Sequence, residues 1–233
     1  MTSPPSGSPP TPRVAERAIQ IAGERGALVG RLHVPAGDVR AAAVLCHPHP
    51  LYGGDMHNHV VDALACGLAA DGVLALRFNF RGVGGSAGLH DGGPGEVRDV
   101  LAAFEALRAE RGGRTVPLAV VGYSFGAAVG LAAAAQHGDV AAAVGVSPPF
   151  GRSDFCFLAD VAFPVLLIWG QDDALVDAAA AQRVAAYQTV RTIVVPGADH
   201  FWRTGVERVV AAAAAFLRAP GSGSTARAED GRD

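Results

Sequence analysis

The chain has 233 residues, 50% of them hydrophobic, with 19 basic and 22 acidic side chains and a formal charge of −3. That length builds one domain with a substantial core, and the near-neutral balance argues against nucleic acid as a partner. Every basic residue is arginine, which excludes lysine Schiff-base chemistry. Cys46, Cys66 and Cys156 are too few and too scattered for a disulfide scaffold, and read as reduced thiols of a cytoplasmic protein. The sequence has no apolar run of about 20 residues, so a membrane is not an expected partner either.

Residues 1–12 are rich in Pro, Ser and Thr, and residues 219–233 in Gly, Ser and charge; both read as disordered tails around a folded unit at 13–218. Residues 14–22 and 27–34 are strand-like runs joined by Gly23-Glu-Arg-Gly26, an antiparallel hairpin. Residues 41–46 form a small apolar strand that ends in His47-Pro-His-Pro-Leu-Tyr-Gly-Gly54. The spacing of Val60, Val61, Leu64 and Leu68 predicts a helix over 57–71, and 73–80 reads as a strand ending at Arg81 and a glycine-rich loop. Residues 96–111 are an amphipathic helix with Val100, Leu101, Phe104 and Leu107 on one face. Strands follow at 117–121, 140–146, 164–169 and 190–195, with helices at 125–135, 177–187 and 206–217. This alternation predicts an α/β fold with a mostly parallel, doubly wound sheet and helices on both faces. Ligands bind such sheets at the carboxyl ends of the strands, and His47, Arg81, Ser124, Ser147, Asp172, Asp173 and His200 all follow strands.

The strand at 117–121 and the helix at 125–135 meet at Gly122-Tyr-Ser124-Phe-Gly126. A serine between a strand end and a helix start occupies a strained turn that lifts its hydroxyl above the sheet, and flanking glycines let strand and helix approach. A second match, Gly84-Gly-Ser86-Ala-Gly88, has no helix behind it and reads as a loop. A serine needs a base, and the base needs a carboxylate to hold its tautomer, in the chain order Ser, Asp, His. Ser124, Asp172 or Asp173, and His200 fill that order; Asp173 is preferred, with Asp172 capping the turn. Acyl transfer also needs oxyanion donors. The backbone N–H of Phe125 is one, and the loop after residue 46 supplies the other, His49 first and Tyr52 second.

These residues resemble the α/β-hydrolase superfamily, and within it small capless bacterial hydrolases of the serine-esterase or dienelactone-hydrolase-like kind. The matching stretches are His47-Pro-His-Pro-Leu-Tyr-Gly-Gly54 with Asn58, Arg77-Phe-Asn-Phe-Arg-Gly-Val-Gly84, Gly95-Glu-Val-Arg-Asp99, Gly122-Tyr-Ser-Phe-Gly126, Gly170-Gln-Asp-Asp173 and Gly197-Ala-Asp-His-Phe201. The resemblance implies an α/β-hydrolase fold without a cap domain and a cofactor-free serine hydrolase. It implies Ser124 as nucleophile, Asp173 as acid and His200 as base, acting on a small-molecule acyl substrate, an ester or thioester. Asp55, His57, Trp202 and Arg203 depart from the pattern at the pocket rim. The short connection 147–163 predicts an open, partly apolar site, with Phe150 and Trp202 meeting substrate; simple packing over the sheet edge is the equal alternative for the aromatics of that connection.

Rival readings are a metal site at His47, His49, Asp55, His57 and His59, a non-catalytic binding protein, and an acyltransferase or peptidase using the same three residues. The metal reading fails on spacing: the sequence has no His-Glu-x-x-His, and His57 and His59, two apart on a helix, point to different sides. Arg81 is expected to pair with a carboxylate and hold the glycine loop, and Glu96 and Asp99 to open a helix. Self-association into a homo-oligomer is left open.

Overall fold

The computed structural model describes residues 14–219; the two tails expected at the termini lie outside the described residues. One eight-stranded sheet runs through the molecule. Its strands are β1 (Ala15–Gly23), β2 (Gly26–Val34), β3 (Ala41–Cys46), β4 (Val73–Phe78), β5 (Leu118–Tyr123), β6 (Val140–Val146), β7 (Val165–Gly170) and β8 (Val190–Val195), in the spatial order β1-β2-β4-β3-β5-β6-β7-β8. The β1–β2 hairpin turns tightly, Gly23 facing Gly26, and joins the sheet antiparallel to β4; every later pairing is parallel.

Helices α1 (His59–Ala70) and α5 (Val206–Arg218) cover one face, while α2 (Pro94–Glu110), α3 (Phe125–Gln136) and α4 (Ala178–Ala185) cover the other. The inner strands are apolar along their whole length because both faces are covered: every residue of β3, β4 and β5 is buried. The β3 and β6 runs are largely alanine and valine, small enough to let helices sit close on either side. Helix α1 starts at Asn58, whose side-chain oxygen accepts the Val60 N–H at 3.0 Å. Helix α2 starts at Pro94, and the Glu96 carboxylate accepts the Gly93 N–H at 2.7 Å. The connection from β6 to β7 holds only a 3-10 turn at Cys156–Ala159, so no cap stands over the sheet. Among the described residues no helix is long and apolar enough to cross a membrane.

Candidate active site

Strand β5 delivers Ser124 to the junction with α3 at φ 54° and ψ −118°, a conformation that few L residues adopt. Its backbone N–H donates to Val146 C=O at 2.8 Å, which ties the turn to the end of β6. Two glycines make the junction sterically feasible. A Cβ on Gly122 would lie 2.2 Å from Gly126 C=O, and one on Gly126 would lie 2.3 Å from Cys46 C=O and 2.5 Å from His47 C=O. The same close approach brings the start of α3 against the loop after β3.

His200 arrives from the loop after β8. The Tyr123 hydroxyl donates to His200 C=O at 2.7 Å, and the loop after β7 is stitched to the same segment by Asp172 N–H to Ala198 C=O at 2.9 Å. In that frame the Ser124 hydroxyl lies 3.0 Å from His200 Nε2, and His200 Nδ1–H donates to both oxygens of Asp173 at 3.0 and 2.9 Å. A carboxylate can only accept here, which puts the proton on Nδ1 and leaves Nε2 free to receive the serine proton. Burial would raise the Asp173 pKa, but donors from His200, Ser147 and the Leu175 N–H outweigh it, so the carboxyl is held below its usual range. Asp172 is exposed and does not approach His200. Asp199 pairs with Arg203.

Two backbone N–H groups beside Ser124 have no hydrogen-bond partner among the described residues: Phe125, the first residue of α3, and His49. Their rings lie 4.9 Å apart. Tyr52 is corrected as a donor: its N–H is spent on His49 C=O at 3.1 Å, and its side chain is 80% exposed. The loop that carries His49 is locked from below. The buried His47 ring donates through Nδ1 to Pro48 C=O at 2.7 Å and accepts the Phe80 N–H at Nε2, 3.1 Å. Burial pushes its pKa down to about 4, so it stays neutral. Asn79 Oδ1 accepts the Met56 N–H at 2.8 Å, and Arg77 donates to Met56 C=O at 2.8 Å.

The structure moves two expected substrate contacts away from the surface. Trp202 is 1% exposed, packs between β7, β8 and the α5 side of the sheet, and donates its indole N–H to Ser147 Oγ at 3.1 Å. Phe150 is 5% exposed and packs on Phe155 and Trp169. Both complete the core that a short β6–β7 connection would otherwise leave open. The exposed aromatics beside the site are instead Tyr52, 4.8 Å from the His49 ring, and Phe201, packed edge-on to the His200 ring at 5.7 Å. A concavity of about 620 Å³ lined by His137, Phe157 and Phe163 opens at the other end of β6, away from Ser124.

Other candidates take structural places. The Ser86 hydroxyl donates to Asn79 C=O and accepts the Val29 N–H, at 2.8 and 2.9 Å, which pins the glycine loop to β2. Arg81 makes the expected pair, donating to Asp99 at 2.8 Å with both side chains buried. His59 bonds to Trp202 C=O and His57 is exposed; among the described residues no three His, Cys, Asp or Glu side chains are placed to hold a metal ion. Two contacts went unread in the sequence: that of Ser147, placed there only as a strand-end residue, with Asp173, and that of the Tyr123 hydroxyl with His200 C=O. Their only signal was position, at a strand end and beside the serine.

The molecule has known relatives along most of its length. A protein of Rickettsia prowazekii, described only as uncharacterized, is 34% identical over 199 residues, 81% of this chain and 83% of its own. A solved α/β serine hydrolase without lid from Xanthomonas campestris is 36% identical, with a TM-score of 0.73 over 88% of this chain and 92% of its own. An α-β serine hydrolase homologue from Coxiella burnetii is 31% identical, with a TM-score of 0.76 over 88% of this chain and 97% of its own. The family model described as serine aminopeptidase, S33, matches residues 37–155, a span that includes the loop after β3 and the Ser124 turn. With this fold and these relatives, the chain belongs to that family of α/β serine hydrolases.

Proposed function

We propose that the protein is a cytoplasmic serine hydrolase that cleaves carboxylic esters, or thioesters, of small acyl substrates without a cofactor. The observation that carries this reading is the hydrogen-bonded line from Ser124 Oγ through His200 to Asp173, at 3.0 Å and 2.9 Å. As Ser124 Oγ attacks the acyl carbon, its proton passes to His200 Nε2, and Asp173 stabilises the imidazolium without taking the proton. The carbonyl oxygen becomes an oxyanion, and the unpartnered N–H groups of Phe125 and His49 are preorganised to receive it. Collapse breaks the bond to the leaving group, which takes the proton back from His200. Water then repeats the sequence on the acyl-enzyme, His200 again removing a proton.

An ester fits this site better than a peptide amino terminus, which the family's description would suggest. A free ammonium needs an acidic partner at the rim. Here aromatic Tyr52 and Phe201 flank His49 and His200, and the carboxylates bonded within the site, Asp173 and Glu96, are buried and engaged. Three free cysteines support a reducing compartment. Turnover of p-nitrophenyl acetate and butyrate by the full chain tests the reading. Ser124→Ala is expected to lower kcat by more than about 10³-fold with an unchanged fold, since the three residues act as a unit. Equal turnover by wild type and variant would contradict it.

A further inference from the structure

Between Pro48 and Pro50 the backbone carries a single N–H, that of His49, because neither proline has one. His49 C=O accepts the N–H groups of Tyr52 and Gly54, both at 3.1 Å, and this fixes the peptide that follows His49. The peptide that precedes it holds Pro48 C=O and the His49 N–H in one plane. No peptide bond among the described residues is cis, so this oxygen and this N–H point to opposite sides of the chain. Whatever holds the Pro48 oxygen therefore aims the His49 N–H.

The oxygen is held by His47, a fully buried ring whose tautomer two neighbours determine. The Phe80 N–H can only donate, so His47 Nε2 accepts it, at 3.1 Å. Pro48 C=O can only accept, so the ring proton sits on Nδ1 and is donated there, at 2.7 Å. Among the described residues no other group donates to that oxygen. Gly54 is packed against it as well: a Cβ at Gly54 would lie 2.1 Å from Pro48 C=O. Phe80 lies 4.6 Å from the His47 ring and, edge-on, 5.9 Å from the ring of Phe125. One buried cluster thus joins the residues that carry both unpartnered N–H groups beside Ser124.

We propose that His47 is a positioning residue for the hydrolysis: by holding Pro48 C=O through its Nδ1–H, it turns the Pro48–His49 peptide so that the His49 N–H faces the oxyanion. The proposal rests on the serine-hydrolase reading for its effect on rate, whereas the peptide orientation it claims does not. An oxyanion donor lowers the barrier only if it is aimed before the charge develops. Without the His47 donor the peptide plane is free to rotate, and the N–H turns with it. The ground-state ester carries little charge on its carbonyl oxygen, so the loss falls on kcat and leaves KM nearly unchanged.

The test compares His47→Leu with His47→Asn, two side chains of the same shape and nearly the same size. Both leave the Phe80 N–H without its acceptor, and only Asn keeps a donor where Nδ1 stood. On p-nitrophenyl butyrate, kcat is expected to fall about 100-fold in His47→Leu, the order set by losing one oxyanion donor, with KM within about threefold of wild type. His47→Asn is expected to recover about tenfold of that loss. Equal losses in the two variants, or a loss carried by KM, would overturn the proposal, because a residue that merely fills the core does not distinguish them. Gly54→Ala moves the same oxygen without touching His47, and serves if His47→Leu does not fold. It is expected to lower kcat about tenfold at constant KM, and wild-type kinetics there would overturn the proposal. Crystal structures give a readout that needs no turnover: the Pro48–His49 peptide is expected to rotate in His47→Leu, or in Gly54→Ala, and to keep its orientation in His47→Asn. An unmoved peptide in His47→Leu would overturn the proposal. A rotated peptide, with no ester turnover by wild type, would remove the hydrolase reading and leave the hold of His47 on the peptide standing.

Discussion

Asp173 is a buried carboxylate held ionised by three donors, His200, Ser147 and the Leu175 N–H. Ser147, at φ 45°, bonds to Asp173 and accepts the Trp202 indole N–H at 3.1 Å. Ser147→Ala removes a donor from Asp173 and strands a buried indole N–H. It is expected to cost about 1–3 kcal/mol of stability and to lower kcat without raising KM, which denaturant melts and steady-state kinetics would check. Wild-type kinetics in the variant would show that His200 and the Leu175 N–H alone suffice to hold Asp173. Ser124, Asp173 and His200 were legible in the sequence because each sits in a local pattern of glycine and strand end. The hydroxyls of Ser147 and Tyr123 were not, because their partners lie 55 and 77 residues away and only the folded sheet brings them together.

At the scale of elements, the junction of β5 and α3 leaves no space for a side chain at its glycines. Gly126 touches the backbone of Cys46 and His47, so one added methyl group must push α3 away from the loop that carries His49. Gly126→Ala is therefore expected to fold poorly or to lose activity by more than about tenfold. Thermal melting together with ester turnover checks this, and a fully active, equally stable variant would contradict the geometry. The strand and helix order was readable from apolar runs and their spacing, because inner parallel strands are continuous apolar segments and helices between them are amphipathic. Substrate contact by Phe150 and Trp202 fails for one physical reason, and for Phe150 the alternative of packing over the sheet edge holds. Phe150 and Trp202 follow strand ends, where substrate contacts are found, yet with a short β6–β7 connection and no cap these aromatics are needed to seal the core edge. The 3-10 turn at Pro50–Tyr52 also went unread. It matters because it uses the Tyr52 N–H and aims the His49 ring.

For the whole molecule, the balance between sheet and loops has a pH dependence. His47 is fully buried and neutral, its pKa lowered to about 4 by burial. Unfolded, it titrates near the ordinary value of about 6.5. The unfolded chain takes up the proton first, so this contribution is fully present above about pH 6.5 and is lost as pH falls through about 4, a change on the order of 3 kcal/mol. Asp173, held below its usual range, adds a loss in the same direction at lower pH. Urea unfolding from pH 7 to 4.5 is expected to show this decline, and His47→Asn to flatten it while lowering stability at pH 7. Parallel curves for the two proteins would contradict the assignment. Buried pairs such as Arg81–Asp99 hold the glycine loop at the same end of the sheet.

The central claim is that Ser124, and no other serine, is activated by His200 and Asp173. Labelling the purified full chain with a fluorophosphonate and mapping the modified residue by mass spectrometry tests it most directly. The account predicts a single adduct on Ser124 that disappears in His200→Ala. An adduct on Ser86 or Ser147, or none on a folded protein, would contradict it.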